Sequence, residues 1–227
     1  MSHHSTQGQH TNGYQANDGG HATGSAILHL QDVFFRYPER EIFAGLTLTL
    51  APGVSLVQGD AGKTTLLRLM AADLRAQAGR FRINGIALDE QPALYRQQLF
   101  WMDPQSTAFD QMTPNDYFKA ARAQYPAFDD ALTRALVEPF SLTPHQDKPL
   151  FMLSSGSKRK VWITAAFASG AALTLLDEPF AALDQASICV VRALLANAAT
   201  DLARATVIAH YESPPGVTLS KTIDLDA

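Results

Sequence analysis

Gly59-Asp60-Ala61-Gly62-Lys63-Thr64-Thr65 places glycines, a lysine and adjoining hydroxyls between an apolar run ending at Val57 and a helical pattern. That combination suits a phosphate chain. Backbone N–H groups converge at a helix N-terminus, a lysine reaches the terminal phosphates, and a hydroxyl serves Mg²⁺. Gly62-Lys63-Thr64 supplies these parts. The usual motif puts four residues between its first glycine and the Gly-Lys pair, whereas only Asp60 and Ala61 separate Gly59 from Gly62. Either the loop is two residues short, or it has the usual length with Val57 and Asp60 in place of small residues. The first case leaves fewer amides around a phosphate; the second sets the Asp60 charge beside another anion. The competing interpretation is a helix start whose lysine is simply exposed.

A second group lies downstream. Ala172-Leu173-Thr174-Leu175-Leu176-Asp177-Glu178-Pro179 is an apolar run ending in two carboxylates. Such a run suits a buried parallel strand that delivers its acids to the C-terminal edge of a sheet. There Asp177 can hold Mg²⁺, directly or through water, and Glu178 can act as general base on an attacking water. An isolated Asp-Glu would read as a solvated acidic turn, but not downstream of Gly-Lys-Thr-Thr.

The elements that must position these groups follow from periodicity and turn residues. Strands are expected over Ile27–Tyr37, Leu46–Leu50, Gly53–Val57, Gly79–Ile83, Ala172–Leu176 and Thr206–Ala209, with a turn at Asn84-Gly85. Helices are expected over Lys63–Ala72, Ser157–Ser169 and Ile188–Ala198. Helical signals also fill residues 113 to about 147, with Pro114 opening one helix and Phe128-Asp129 leading into another. Strands alternating with helices indicate an α/β domain with a largely parallel sheet, and the central helical stretch reads as an insertion.

Composition narrows the class. The chain has 227 residues, 46% of them hydrophobic, enough for one domain with a sizeable core. A net charge of -4 gives no basic footprint, so no nucleic-acid partner is expected. Cys189 is the only cysteine, which excludes an internal disulfide and suits a reducing compartment. No run approaches the ~20 apolar residues of a membrane-spanning helix, and the N-terminus lacks a signal-peptide pattern. Residues 1–25, with His3, His4, His10 and His21, read as a disordered polar tail. Trp101 and Trp162 read as packing residues, Cys189 as an inert apolar side chain within its helix, and Lys158-Arg159-Lys160 as the solvated face of a helix.

These motifs and their order resemble the ATP-binding cassette (ABC) ATPase family. Leu153-Ser154-Ser155-Gly156-Ser157 stands where that family carries its Leu-Ser-Gly-Gly-Gln signature, with Ser155 for a glycine and Ser157 for the glutamine. Pro179-Phe180-Ala181-Ala182-Leu183-Asp184 is similar to the D-loop, Val207-Ile208-Ala209-His210 to the strand bearing the switch histidine, and Pro104-Gln105 to the Q-loop. Tyr37 before Pro38 resembles the aromatic that stacks on adenine. The resemblance runs from Tyr37 to His210. It implies a P-loop NTPase-type fold, a mainly parallel sheet with an antiparallel β portion and an inserted helical subdomain over about 106–165, within a domain covering 26–227.

The resemblance also implies roles. Gly59, Asp60, Ala61, Gly62, Lys63, Thr64 and Thr65 would hold ATP phosphates. Thr64, Gln105 and Asp177 would serve Mg²⁺, Glu178 would activate water, and His210 would contact the γ-phosphate. Ser154, Ser155 and Gly156 of a second nucleotide-binding domain would close the site, and Asp184 would communicate across the pair. A separate membrane permease is implied, with this chain peripheral on the cytoplasmic face. The short stretch after His210 resembles the compact form of exporter ATPases such as the haem-exporter subunit. Two alternatives stand beside this: a non-hydrolysing or regulatory ATP-binding clamp, and a soluble ABC protein acting on ribosomes or DNA.

Overall fold

A computed structural model describes residues 26–226; the polar tail expected over 1–25 lies outside them. The strands form two sheets. β1 (Leu28–Tyr37), β2 (Arg40–Leu50), β4 (Ala78–Ile83) and β5 (Ile86–Ala87) make an antiparallel sheet in the order β2-β1-β4-β5. β3 (Gly53–Gln58), β6 (Leu99–Trp101), β7 (Leu173–Asp177), β8 (Ala205–Ala209) and β9 (Leu219–Asp224) make a wholly parallel sheet in the order β6-β7-β8-β3-β9.

The parallel sheet is covered on both faces, which is why its central strands are apolar without alternation. Val57, Leu173, Leu175 and Val207 point into one core with the antiparallel sheet and helix α1 (Lys63–Met70). Their neighbours Leu56, Leu176 and Ile208 point the other way. That second core takes in helices α3 (Pro114–Gln124), α4 (Asp130–Val137), α5 (Ser155–Ala168) and α6 (Gln185–Ala198). A further short helix, α2 (Pro92–Gln97), leads into β6. Leu56, Leu66, Leu175 and Ile208 are all essentially inaccessible to solvent.

Local chemistry sets the boundaries. Asn84 and Gly85 both take positive φ, 50° and 80°, the conformation that lets a two-residue turn join β4 to β5. Thr113, Asp129, Ser154 and Asp184 cap α3, α4, α5 and α6, each accepting a hydrogen bond from the backbone N–H three residues on. Pro114 occupies the first turn of α3, where its missing N–H costs nothing. Helix α1 differs. Its N-cap is Gly62 at φ 92°, with no side chain satisfying the first-turn amides.

Several expectations need correction. β2 begins at Arg40 rather than Leu46, because its outer half pairs across the Pro38-Glu39 turn with β1. α5 begins at Ser155, two residues earlier than expected, because Ser154 caps it. β6 and β9 lie at the edges of their sheet, and β9 alternates exposed and partly buried residues instead of forming an apolar run. Cys189 is exposed, not packed: α6 turns Ser187, Val191, Leu194 and Leu195 inward, and Cys189 falls on the opposite side.

Leu56 sits mid-strand in β3 against the helical core. Leu56→Ala is expected to lower stability by about 2–5 kcal/mol, read as a loss of thermal midpoint with unchanged far-UV circular dichroism at low temperature.

Candidate functional site

Strand register decides where the chemistry falls. Asp177 of β7 pairs with Ala209 of β8, and Ala209 pairs with Val57 of β3. The next residue of each strand, Glu178, His210 and Gln58, therefore emerges at the same carboxyl edge. Two backbone bonds continue the alignment: Glu178 N–H donates to Ala209 O (3.0 Å) and His210 N–H to Val57 O (3.0 Å). This is the edge at which open α/β sheets carry their ligands.

From Gln58 the chain crosses to α1 in four residues, Gly59–Gly62, and Val57 lies inside the sheet, fully buried. Gly59 and Gly62 both take positive φ, and a Cβ on Gly62 would press within 3.3 Å of Ile42 and Leu225. Lys63 folds back so that Nζ donates to Gly59 O. The Thr64 hydroxyl donates to Asp177 Oδ2 at 2.7 Å, which links the turn to the acidic strand. Thr65 is buried and bonds the Tyr37 hydroxyl at 3.2 Å, while the Tyr37 ring is 39% exposed and meets Phe35 edge-on.

The two carboxylates differ. Burial pushes the Asp177 carboxyl up from its ordinary value, and the Glu178 charge adds to this; the Thr64 hydroxyl and Arg159 oppose it. Glu178 holds φ 46°, a left-handed conformation that costs a non-glycine residue about 1–2 kcal/mol. Its Oε2 meets His210 Nδ1 at 2.8 Å, so an Nδ1–H tautomer donates to the carboxylate. His210 is buried, its ring 5.2 Å from Phe180 and 4.2 Å from the exposed Tyr211.

Lys63, Thr64, Thr65, Tyr37, Asp177, Glu178 and His210 are thus drawn together. Other expected residues stand apart. Gln105 is exposed in the loop after β6, its backbone N–H bound to Asp103 Oδ1 at 2.8 Å. Ser154 and Ser155 are exposed at the start of α5, and neither bonds the 59–65 turn. Gly156 is buried: a Cβ there would fall 2.3 Å from Ala182 O, itself in a turn with Ala182 at φ 61°. Asp184 caps α6 and accepts from Lys160 Nζ at 2.7 Å; that bond, with the Ser187 bonds, holds its carboxyl well below the usual range.

The turn accepts an anion in this structure. Asp60 N–H donates to Asp226 Oδ2 at 2.7 Å, and Leu225 N–H donates to Gln58 O. A carboxylate resting on a loop amide, uncapped first-turn amides on α1 and a lysine alongside are the donor set a phosphate needs. For Mg²⁺, the Thr64 hydroxyl and Asp177 carboxylate fit an ion that takes few protein ligands and completes its shell with water and phosphate oxygens. Among the described residues, no group of three or more His, Cys, Asp or Glu is placed to hold a metal ion by itself.

Sequence reasoning missed two contributors. Asp226 bears on the loop from 166 residues away in the chain, with no signal in its neighbourhood. The Lys158-Arg159-Lys160 triplet is not a solvated face. Lys158 pairs with Asp110 (2.6 Å), Lys160 is buried against Asp184, and Arg159 donates to the carbonyls of Asp177 and Glu178. A signal did exist, because three consecutive helical residues fan through about 200° and cannot share one side.

The family comparisons agree with this geometry. A family model described as "ABC transporter" matches residues 56–181. The cytochrome c biogenesis ATP-binding export protein CcmA of Rhodospirillum rubrum is 35% identical over 204 residues, covering 86% of this chain and 84% of its own length. The protein of the same name from Aromatoleum aromaticum is 30% identical over 194 residues, covering 83% and 90%. Among solved structures, an ATP-binding subunit of an ABC transporter superposes with a TM-score of 0.70 at 23% identity, over 81% of this chain and 79% of that one. CbiO1 from Clostridium perfringens, part of an ABC transporter complex, gives 0.61 at 20% identity over 82% and 79%. These last two speak for the fold alone.

Two substitutions probe the site. Asp60→Asn removes a negative charge from the turn and is expected to tighten ATP binding about threefold at low salt, the gain shrinking as salt rises, in a fluorescent-nucleotide titration. Gly156→Ala forces the Ala182 turn to move and should cost about 1–3 kcal/mol, measured by denaturant unfolding. With the cradle, the acidic strand and the histidine in register and a family model spanning most of that region, this chain belongs to the ABC transporter family, as an ATP-binding subunit.

Proposed function

We propose that the chain hydrolyses ATP with Mg²⁺ as one half of a head-to-tail pair, and that the pair drives a membrane permease of the export class named for its CcmA relatives. The observation carrying this reading is the convergence of Thr64 on Asp177 (2.7 Å) and of His210 on Glu178 (2.8 Å) at one sheet edge. Lys63 and the amides from Gly59 to Thr65 hold the phosphates, and Tyr37 offers its exposed ring to the adenine. Thr64, Asp177 and Gln105 would hold Mg²⁺, which would supply positive charge to stabilise the phosphate oxygens during transfer.

Glu178 takes the proton of a water whose oxygen forms the new bond to the γ-phosphorus. The bond from that phosphorus to the β–γ bridging oxygen breaks, leaving ADP and phosphate. His210 keeps the Glu178 carboxylate aimed and faces the γ-phosphate. This intact pair argues against the non-hydrolysing alternative.

A second copy supplies Ser154, Ser155 and Gly156 to the same phosphates, and Asp184 reports across the interface. Phe151 and Met152, 53% and 62% exposed and separated from Ser154 only by the buried Leu153, and the exposed Tyr211 beside His210 provide apolar surface for that pairing. The helical segment over about 106–165 carries the motion outward. Beside Gln105 it forms a cleft of about 290 Å³ lined by Trp101, Phe109 and Tyr117, suited to a helix end of the permease. No described helix is long and apolar enough to cross a membrane. On this reading the membrane path belongs to the permease, with this chain peripheral on its cytoplasmic face.

Lys63→Ala is expected to weaken ATP binding at least tenfold in equilibrium titration. Glu178→Gln is expected to lower turnover about 10²–10⁴-fold while ATP-dependent pairing, followed by size-exclusion chromatography, becomes long-lived. A Glu178→Gln protein that remains monomeric at saturating ATP, when the parent pairs, would refute the role given to Glu178.

A further inference from the structure

We infer that Arg159 is a positioning residue for hydrolysis: its guanidinium ties together the two peptides that flank Glu178 and so holds the general base in its left-handed backbone conformation. The inference rests on the ATPase reading above and adds to it a residue outside the phosphate turn, the acidic strand and the histidine.

Arg159 lies in the second turn of α5, with its side chain reaching beneath the end of β7. One terminal nitrogen donates to two successive carbonyls, Asp177 O at 3.1 Å and Glu178 O. Those carbonyls belong to the two peptides on either side of the Glu178 Cα, Asp177–Glu178 and Glu178–Pro179. Glu178 at φ 46° does not hold this geometry by preference, so surrounding contacts must impose it. Three others are visible: Glu178 N–H on Ala209 O, Ala181 N–H on Glu178 O, and His210 on the carboxylate. Of these groups, Arg159 is the one that bonds both peptides flanking the Glu178 Cα. A lysine ammonium has three donors but lacks the planar, delocalised group that fixes their direction.

The placement of this guanidinium is costly, which argues that it is more than surface decoration. Arg159 is half-buried, burial lowers its pKa, and its Nε is buried without a partner. The neighbouring charges of Asp177 and Glu178 favour the cation and offset part of that cost. Phe100, Met102, Trp162 and Pro179 line a small, largely apolar cleft together with Arg159 and Asp177. The bonds to carbonyl oxygen are charge-assisted, and therefore stronger than a neutral donor would make there.

The same helix begins with Ser154, Ser155 and Gly156. In a head-to-tail pair, α5 would close the opposite nucleotide site with its N-terminus and hold its own chain's base from its second turn. A shift of α5 on pairing is thereby felt directly at Glu178.

The test uses the full chain with Arg159→Met, which keeps bulk but removes the donors, and Arg159→Lys, which keeps the charge. Arg159→Met is expected to lower kcat about 10–100-fold, with the equilibrium dissociation constant for Mg²⁺–ATP within about twofold of the parent. Arg159→Lys should recover part of that loss. Adding Arg159→Met to Glu178→Gln should produce no further fall in kcat, because both changes act through one carboxylate. Independently of turnover, amide hydrogen exchange over residues 177–183 of Arg159→Met should quicken at least fivefold in the absence of nucleotide, with β3 and α1 unchanged.

Unchanged kcat, or exchange over 177–183 equal to the parent's, would overturn the inference. So would a fall in kcat matched by an equal loss of ATP affinity and of thermal midpoint. If the parent chain with its partner binds ATP but never releases phosphate, the ATPase reading fails instead, and the exchange measurement still decides whether Arg159 holds the Glu178 backbone.

Discussion

Everything at the site depends on three parallel strands being in step. β7, β8 and β3 are paired so that Asp177, Ala209 and Val57 lie level, and a slip of one residue in any of them would turn its terminal side chain to the opposite face. Apolar burial on both sides enforces that step. Leu173 and Leu175 fit one core while Leu176 fits the other, and Val207 and Ile208 divide in the same way. Hydrophobic packing away from this edge therefore fixes where a carboxylate, a histidine and a glycine turn meet. The polar contacts among them, Thr64 to Asp177 and His210 to Glu178, trim a convergence already set by the sheet.

Two layers of support surround that convergence. From the carboxyl end of the chain, β9 runs alongside β3, and Leu225 and Asp226 hold the glycine turn from outside. From the helical side, α5 contributes three consecutive cations, each to a different element: the loop before α3, the end of β7 and the cap of α6. Nearly all the ion pairs of the described residues are at least partly exposed and add little to stability individually. Lys160 is the contrasting case, buried and directed at Asp184, and it ties the helix carrying the signature residues to the turn that follows the base.

Much of this was legible in the sequence, for identifiable reasons. A strand buried on both faces writes itself as an unbroken apolar run, so β3, β7 and β8 could be read with the residues at their ends. Caps and turns announced themselves through Pro114, Asp129 and Asn84-Gly85. Order along the chain then connected Lys63, Asp177, Glu178 and His210. What stayed hidden has a common cause. β6 and β9 are edge strands, with three residues in one and an alternating exposed pattern in the other, and short sequence windows hold little signal for either. Asp226 acts through a contact closed only by folding. Arg159 was visible as a charge, but its direction depended on the rotation of α5, which the sequence of the triplet alone left undetermined beyond ruling out a shared face.

The double duty of α5 has a genetic consequence. Where two subunits share a pair of composite sites, a lesion in Lys63 spoils the pocket built on its own chain and leaves the neighbour's pocket furnished. On the proposed head-to-tail pairing, a lesion that displaces α5 reaches further, because one end of the helix would serve the neighbour's pocket while Arg159 in its second turn bonds the carbonyls of Asp177 and Glu178 at home. In a cell holding both normal and altered copies, alleles of the second kind would disable every mixed assembly they enter and behave as dominant, whereas alleles of the first kind would be partly masked.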